Sequence, residues 1–396
     1  MFVNDVVILS GARTPMARYM GSFEGTSAIE LGAAAGREAI RRAGVEPSDV
    51  DHVIFGNVMQ TSADALYGAR HVGLKAGLPE ETPAVTVNRL CGSGIESITQ
   101  AARRILLGEA KLVLAGGMEN MSQSPHVIRG ARGGFRLGEG KLEDSLVSGL
   151  FDTYCGFSMS ETAENLAAEQ GITRRGCDEY ALRSQQAADA AFKACRVKEE
   201  MVPVEVKKGK KTLVVTEDDH RRPDTSMQIL ESLPPAFRKD GIVTAGNASG
   251  IVDGAAAVMV THARMAKERD WKPLGRLVSW AAVGVPPRIM GIGPVPAIKK
   301  ALALANLRLE QIDLIEVNEA FAAQYLAVER LLGLNRDKTN VNGGAIALGH
   351  PLGATGTRLV LSLLLELRRR NGRYGIASAC IGGGQGIAMI VESAAA

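Results

Sequence analysis

The feature that most constrains the fold of this chain is an internal duplication. Two stretches about 260 residues apart run through the same order of helix, loop and strand. In the first, an Ala-rich helix from Leu31 to Ala43 leads to DVDHVIFGNV; in the second, AIKKALALANL leads to QIDLIEVNEAF. Downstream, VTVNRLCGSG and TNVNGG with GHPLGATG each open a helix, followed by the strands LVLAGG and YGIASA. Short apolar strands alternating with helices indicate parallel sheets covered by helices, so we expect an α/β protein with two similar domains.

The two halves differ at one place, which predicts an insertion in the first. CIGGGQG turns tightly into the last strand, GIAMIVE, whereas about 130 residues separate GGMENM from the equivalent strand, GAAAVMVT. The extra stretch has a capping-box spacing at Ser158 and Glu161 and a hairpin-like pair around KKGKK, which we interpret as a solvated turn. The predicted domains are residues 1–120 with 251–272, the inserted loop domain 121–250, and residues 273–396.

Composition places the chain among ordinary globular proteins. Its 396 residues are 46% apolar and 22% charged, and a net charge of +3 is too small to predict a nucleic-acid or membrane-surface partner. Five scattered cysteines without CxxC pairs argue against a disulfide framework or a zinc site. The N-terminus carries no export signal, so we expect a cytoplasmic protein or a mature organellar matrix protein, without membrane insertion.

Cys91 and His350 occupy corresponding strand-to-helix junctions of the two halves. A helix N-terminus offers unpaired N–H groups and positive potential, so it favours a Cys91 thiolate and can hold an oxyanion. A small core residue is the alternative for Cys91, and a structural histidine in a Gly-rich turn is the alternative for His350. If the pseudo-twofold axis brings both junctions to one crevice, the imidazole is suited to take the thiol proton.

Two glycine-rich stretches argue against nucleotide hydrolysis and against a dinucleotide-binding motif. GAIALGHP has His350 and Pro351 where a phosphate-binding loop needs Lys and Ser or Thr, and GGGQG lacks the dinucleotide-binding spacing. CIGGGQG does supply backbone N–H groups beside Cys380. Asn318, at the end of a strand, adds an amide suited to hold a water or an oxyanion. Its neighbour Glu319 is interpreted as a structural hydrogen-bonding residue.

These motifs together resemble the thiolase family. The resemblance rests on RLCGSG around Cys91, NEAF at 318–321, NGGAIALGHPLGATG at 342–356 and CIGGGQG at 380–386, and it extends from GARTP at 11–15 to the last strand. It implies a duplicated five-layered α-β-α-β-α fold with an inserted loop domain that helps to bind coenzyme A. Homodimers and homotetramers both occur in the family.

The resemblance also implies a mechanism between acyl-CoA, acetyl-CoA and CoA. His350 deprotonates Cys91, whose thiolate is acylated in a ping-pong reaction, and Cys380 moves the α-carbon proton of acetyl-CoA. One oxyanion hole consists of His350 and a water held by Asn318. The other consists of the backbone N–H groups of Cys91 and Gly382, and each donor contributes about 3 kcal/mol. Neither a metal nor a redox cofactor is implied, because the CoA thioesters are substrates.

Further positions match those that hold coenzyme A in the family. They are Arg222 near the adenine nucleotide, Ser249 on the pantetheine, and the apolar walls Leu150, Met159, Phe237, Ala245 and Phe321. Core packing is the alternative for the Phe and Met positions. Members specific for acetoacetyl-CoA commonly have His where Ser158 precedes Met159. The small Ser158 and the stretch from Ser62 to Leu74 are more similar to members that degrade longer 3-ketoacyl-CoAs.

Two other functions compete with this interpretation. A decarboxylating ketosynthase shares the fold and the nucleophilic cysteine, but it would lack Cys380. A non-catalytic acyl-CoA-binding or scaffold protein would keep the fold and lose the chemistry, which the presence of Cys91, His350, Asn318 and Cys380 argues against.

Overall fold

The structure, a computed structural model, describes residues 5–394 as a mixed α/β fold. Its strands are β1 (Val6–Arg13), β2 (Ala17–Arg18), β3 (His52–Gly56), β4 (Ala84–Val87), β5 (Leu112–Glu119), β6 (His126–Ile128), β7 (Leu142–Asp144), β8 (Phe151–Asp152), β9 (Phe157–Ser158), β10 (Val204–Lys208), β11 (Lys211–Val215), β12 (Val252–His262), β13 (Gly275–Gly284), β14 (Leu314–Val317), β15 (Tyr374–Ile381) and β16 (Gln385–Ser393).

The helices alternate with these strands. They are α1 (Ala28–Ala43), α2 (Gly68–Ala76), α3 (Ser93–Leu107), α4 (Ser145–Gly149), α5 (Met159–Gln170), α6 (Arg174–Lys193), α7 (Met227–Ser232), α8 (Ala263–Glu268), α9 (Pro294–Ala305), α10 (Ala322–Leu332), α11 (Ala345–Leu348) and α12 (Leu352–Arg370). Within the described part of the chain, none of them is long and apolar enough to cross a membrane.

The helix that opens the first repeat shows how local sequence sets the element boundaries. Ser27 caps α1 by accepting from the N–H of Glu30, and the Glu30 carboxylate accepts from the N–H of Ser27, so two unpaired donors are satisfied. The residue that follows the helix and caps its C-terminus is Gly44, which adopts the left-handed conformation with φ of 64°. Its counterpart α9 begins at Pro294 and is capped by Asn306, which is also left-handed.

The central sheet repeats the duplication strand by strand. Its order is β14-β15-β16-β13-β1-β12-β5-β3-β4, with β2 paired to β12. The two halves of the sheet correspond when both are followed outward from the centre. The first half runs β1, β12, β5, β3 and β4. The second runs β13, β16, β15 and β14, and a short parallel bridge between Ile315 and Thr339 takes the place of β4. The halves join where Val7 and Ile8 pair with Arg276 and Gly275. The predicted duplication is therefore confirmed.

The expectation of parallel sheets is wrong for half of each sheet. β3 runs parallel to β4 and β5, and β14 runs parallel to β15, but β12, β1, β13 and β16 pair antiparallel to their neighbours. The reason is connectivity. β15 returns through a tight turn as β16, and a hairpin connection necessarily reverses strand direction. β5 and β12 keep the same antiparallel relation across the long inserted segment.

Three apolar clusters define the predicted five layers. Between the two half-sheets lie α3 and α12, whose apolar faces share one core with strands of both halves. Outside the first half-sheet lie α1 and α2, and outside the second lie α9 and α10. The order helix, sheet, helix, sheet, helix buries both faces of each half-sheet.

The segment between β5 and β12 contributes no strand to the ten-stranded sheet within residues 5–394. Its hairpin of β10 and β11 and its capping box at Ser158 and Glu161 form as the sequence predicts. Although it is inserted in the first repeat, its longest helices pack on the second: α5 contacts α10, and α6 contacts α10 and α11. Tyr180 and Ala181 of α6 belong to the outer core of the second half. The inserted segment therefore reaches the loops that follow β14.

Candidate active site

Cys91 lies in the short connection between β4 and α3, one residue before the helix cap at Gly92. The preceding residue, Leu90, has φ of 46°, in the left-handed region that non-glycine residues rarely adopt. Ser93 holds this turn by donating its hydroxyl to the Leu90 carbonyl at 2.7 Å and accepting from the N–H of Arg89 at 2.8 Å. Backbone strain of this kind is concentrated at functional sites, so the turn before Cys91 is a candidate for one.

Two opposing effects act on the pKa of the Cys91 thiol. Burial raises the pKa of its thiol to about 11, although the backbone N–H groups of Gly382 and of Cys91 itself favour the thiolate. The N–H groups favour the thiolate as the sequence predicts, but removal from water outweighs them. Cys91 is a thiol at neutral pH and needs a base.

The starts of α3 and α12 touch through two glycines. A methyl group on Gly94 would collide with the backbone N of Thr357, and one on Gly356 would collide with the backbone N of Ile95. Only glycine permits this approach, because any side chain would separate the two backbones. The two equivalent junctions, with Cys91 on one and His350 on the other, therefore converge as the duplication predicts.

His350 lies between α11 and α12 and is 5% exposed. Its Nδ1 is 2.6 Å from Thr355 Oγ1 and its Nε2 is 3.3 Å from Asn318 Nδ2, while its backbone N–H donates to the Gly250 carbonyl at 2.9 Å. Burial, helped by the positive charge of Arg358, lowers the pKa of the imidazole to about 3. The ring is therefore neutral at rest, with a lone pair on one of its two nitrogens.

Asn318 follows β14 directly and is fully buried. Its backbone N–H donates to the Ser378 carbonyl of β15 at 2.9 Å, which fixes the residue at the sheet edge. The side-chain Nδ2 faces His350, and no described residue hydrogen-bonds to its Oδ1. The amide is thus placed beside the imidazole with one polar atom uncommitted, as a group that interacts with substrate requires.

Glu319 has the structural role that the sequence favoured. It is fully buried, and its carboxylate accepts from the Tyr180 hydroxyl at 2.7 Å, the Ser184 hydroxyl at 2.7 Å, Asn340 Nδ2 at 3.0 Å and the N–H of Ile346 at 3.1 Å. These bonds connect the loop after β14 to α6 of the inserted segment and to α11. Glu319 therefore fixes the two loops that carry Asn318 and His350.

Cys380 is fully buried near the end of β15, where it pairs with Gly386 of β16. Gly383 and Gly384 have φ of 77° and 79°, so the intervening turn uses left-handed conformations that glycine adopts without strain. Burial and the proximity of Cys91 raise the pKa of the Cys380 thiol. The apolar residues around Cys380 are Met159, Met290, Ala320 and Phe321.

The predicted coenzyme A residues divide into two groups. Met159 and Phe321 pack beside Cys380, Leu150 belongs to the apolar cluster beside Cys91, and the backbone N–H of Ser249 donates to the Ala320 carbonyl at 3.0 Å. The other group is exposed on the inserted segment, outside the described clusters around the cysteines, and consists of Arg222, Phe237 and Ala245. Arg222 lines a polar surface pocket.

Sequence reasoning missed several residues of this site. Thr355 contacts His350, Met290 contacts the Cys380 cluster, and Met121, Leu146 and Leu352 pack beside Cys91. Thr355 could have been suspected only from its position five residues after His350 at the start of a helix. The apolar residues carry no signal that distinguishes them from ordinary core positions.

We also searched the described part of the chain for side chains that could bind a metal ion. No group of three or more His, Cys, Asp or Glu side chains is arranged there to hold a metal ion.

Two family models together cover nearly all of the chain. "Thiolase, N-terminal domain" matches residues 6–264, and "Thiolase, C-terminal domain" matches residues 271–393. Among characterised proteins, the chain is 53% identical to the mitochondrial 3-ketoacyl-CoA thiolase of Homo sapiens over 99% of both chains. It is 49% identical to the acetyl-CoA acetyltransferase of Cupriavidus necator, over 98% of this chain and 100% of that protein.

Solved structures agree with these sequence matches. The crystal structure of human mitochondrial 3-ketoacyl-CoA thiolase superposes with a TM-score of 0.97 at 52% identity and covers 100% of both chains. The same human enzyme in complex with CoA superposes with a TM-score of 0.96 at 51% identity, covering 99% of this chain and 98% of that one. The similarity therefore extends over both repeats and the inserted segment.

Proposed function

The chain belongs to the thiolase family, and from this premise we propose that it interconverts acyl-CoA plus acetyl-CoA with 3-ketoacyl-CoA plus CoA. It is an acyltransferase that works by a ping-pong reaction through an acyl group on Cys91. The observation that supports this proposal is the contact between the starts of α3 and α12, the helices that follow Cys91 and His350. Asn318 lies beside His350, and Cys380 is close enough to Cys91 for its pKa to be raised by it.

The first half-reaction acylates Cys91. The neutral Nε2 of His350 accepts the thiol proton, and the sulfur attacks the thioester carbonyl carbon. The CoA sulfur leaves and takes the proton from Nε2. The backbone N–H groups of Gly382 and Cys91, which favour negative charge on Cys91, are suited to stabilise the tetrahedral oxyanion. Each such donor contributes about 3 kcal/mol.

The second half-reaction makes or breaks the carbon–carbon bond. In the cleavage direction, Nε2 of His350 takes the Cys91 proton as the sulfur attacks the 3-keto carbon, and the Cys380 thiol donates its proton to the α-carbon of the departing enolate. The proton held by Nε2 then passes to the Cys380 thiolate, and in condensation these transfers run in reverse. The raised pKa of Cys380 keeps the thiol protonated until the enolate departs, and in condensation the same raised pKa makes the thiolate a stronger base. Asn318 and His350 are the candidate donors to the enolate oxygen, Asn318 through a bound water. This chemistry requires neither a metal nor a redox cofactor.

Coenzyme A is proposed to extend from the cysteines across the inserted segment. Leu150, Met159 and Phe321 form its apolar walls near the thioester, and Ser249 contacts the pantetheine. Farther out, the exposed set of Phe237, Ala245 and Arg222 leads to the adenine nucleotide. The polar surface pocket around Arg222 supports this path, as does the human relative whose structure was solved in complex with CoA.

We also propose that the enzyme accepts 3-ketoacyl-CoAs longer than acetoacetyl-CoA. The apolar cluster of Met121, Leu146 and Leu352 beside Cys91 supports this, as does the small side chain of Ser158. The Ser158 hydroxyl also caps α5 by accepting from the N–H of Glu161 at 3.3 Å. A substitution there therefore changes helix stability as well as space.

Absorbance at the thioester band tests both proposals. Acetoacetyl-CoA plus CoA is consumed by a thiolase, and neither a decarboxylating ketosynthase nor a non-catalytic binding protein consumes it. For 3-ketohexanoyl-CoA we expect kcat/KM at least comparable to that for acetoacetyl-CoA, because each accommodated methylene contributes about 0.8 kcal/mol.

The Ser158→His variant should shift the preference toward acetoacetyl-CoA. Ser158→Ala, which removes the same cap without adding bulk, should not. A wild-type preference of about a hundredfold for acetoacetyl-CoA, roughly 2.7 kcal/mol, would contradict the chain-length proposal.

We propose that the enzyme is a homodimer or a homotetramer. We also propose that it works in the cytoplasm or in an organellar matrix. Exposed apolar side chains concentrated in the inserted segment support an oligomer: Ile128, Phe135, Leu137, Leu142, Val147, Phe151 and Tyr154. Light scattering of the purified chain should give two or four times the monomer mass, and a monomer would contradict the proposal.

A further inference from the structure

The imidazole of His350 makes one hydrogen bond through each ring nitrogen. Nδ1 is 2.6 Å from the Thr355 hydroxyl, and the longer contact, of 3.3 Å, joins Nε2 to Asn318 Nδ2. His350 and Thr355 are both buried, and an imidazole nitrogen without a partner is costly away from water. The bond to Thr355 is therefore the main constraint on the ring.

The bonds around Thr355 decide which nitrogen carries the proton. A hydroxyl has one hydrogen and accepts through its lone pairs. Thr355 Oγ1 is placed to donate to the Pro351 carbonyl at 3.0 Å, and a hydroxyl that donates there can only accept from Nδ1. Nδ1 then carries the hydrogen and Nε2 keeps its lone pair, toward which the Asn318 amide can donate. In this arrangement the Nδ1 hydrogen, the Thr355 hydroxyl hydrogen and one hydrogen of the Asn318 amide each have an acceptor.

We propose that Thr355 is a positioning residue of this site, whose hydroxyl holds His350 in the tautomer that leaves Nε2 free to act as a base. The inference rests on the proposed function. A third group that orients a base through its other nitrogen is a general requirement of nucleophile–base pairs. Here the orienting group is a neutral hydroxyl on the first turn of α12.

With this tautomer, the proton transfers between Cys91, His350 and the CoA sulfur follow a fixed order. The S–H bond of Cys91 breaks and an N–H bond forms at Nε2, while Nδ1–H continues to donate to Thr355. The thiolate forms the bond to the acyl carbon, and the CoA sulfur leaves with the proton from Nε2. Because Nε2 carries a lone pair at rest, His350 can donate to an oxyanion only while it holds this transferred proton.

A purely structural role is the alternative for Thr355. A helical threonine often bonds the carbonyl four residues before it without any function, and Thr99 does so in α3, where it donates to the Ile95 carbonyl at 3.0 Å. Thr99 is equally buried, so it provides a matched control. If Thr355 were only structural, its replacement would resemble that of Thr99.

Kinetics of three variants separate these roles. Thr355→Val keeps the shape and removes the hydroxyl, and we expect kcat for thiolysis to fall about 10- to 100-fold with KM little changed. Thr355→Ser restores the hydroxyl and should recover activity to within about threefold of wild type. Thr99→Val should behave as wild type. A Thr355→Val enzyme with the kcat of the Thr99→Val enzyme would overturn the proposal.

The tautomer can be read without any Thr355 variant. In wild-type protein labelled with ¹⁵N-histidine, the His350 resonance, identified by its loss in His350→Asn, should show a protonated Nδ1 and an unprotonated Nε2. The opposite tautomer would overturn the proposal even if Thr355→Val failed to fold. A wild-type protein without thiolysis activity would instead refute the proposed function, and the tautomer would still be measurable.

Discussion

The two strand-to-helix junctions of the duplication have the same position in the fold and opposite chemistry. In the first, Cys91 is partly exposed beside the left-handed Leu90. In the second, His350 is buried and bonded through both ring nitrogens. The duplication supplies the geometry, because the equivalent helix starts meet at Gly94 and Gly356. Divergence of the two sequences then supplies a thiol on one side and a base on the other.

The strands beside these junctions diverged in a similar way. β5 ends at Glu119 and leads into the inserted segment, whereas its counterpart β15 carries Cys380 and returns at once as β16. The tight return places the N–H of Gly382 toward Cys91. In the proposed mechanism the second repeat therefore completes a site around a residue of the first, and both repeats contribute reacting groups.

Replacing His350 should have the largest effect, because the proposed mechanism uses it in both half-reactions. For His350→Ala we expect acylation and carbon–carbon bond cleavage each to slow about 10³-fold. Single-turnover acylation and steady-state thiolysis measure the two steps, with His126→Ala, at an exposed position, as the control. If only one half-reaction slowed, the comparison of the two junctions would fail, because His350 would then act with only one of the two cysteines.

Replacing Cys380 should affect one half-reaction only. Cys380→Ala should still accept an acyl group from acyl-CoA but lose about 10²- to 10⁴-fold in carbon–carbon bond formation and cleavage, because the α-carbon proton has no carrier. Cys177→Ala removes another fully buried thiol, in α6, and should leave both steps intact. Near-normal turnover of Cys380→Ala would require a mechanism with one cysteine.

Separating the two junctions should have a smaller effect, on stability. In Gly94→Ala the new methyl meets the backbone N of Thr357, and we expect the free energy of unfolding to fall by about 1–3 kcal/mol. Gly25→Ala is the control, because a methyl there meets no atom within 4 Å. The midpoints of urea-induced unfolding of the two variants measure this difference in stability. Equal stability of these variants would show that the helix starts can separate without cost.

Much of this arrangement could be predicted from the sequence, because the repeat preserves local patterns. Apolar periodicity located α3 and α12, and the turn chemistry of CIGGGQG predicted the return of β15 as β16. The antiparallel relation of β5 and β12 was hidden by the inserted segment, since strand direction across so long a connection leaves no local signal. The packing of that segment on the second repeat was hidden for the same reason.

The site was predictable where a residue type is chemically distinctive and unpredictable where it acts through its environment. Cys91, Cys380 and His350 stand out by their side chains, but their roles stay predictions. The pKa of the Cys91 thiol depends on burial, which no local pattern encodes. Thr355 and Met290 have ordinary side chains whose importance comes only from what they touch.

The central claim is that the first repeat carries the nucleophile and the second repeat serves it. The most direct measurement is mass mapping of the protein after incubation with an acyl-CoA in the absence of free CoA, acid quench and digestion. The account predicts the acyl group on the peptide containing Cys91, in wild type and in Cys380→Ala alike, and none in Cys91→Ala. An acyl group on Cys380 or Cys155 would contradict it.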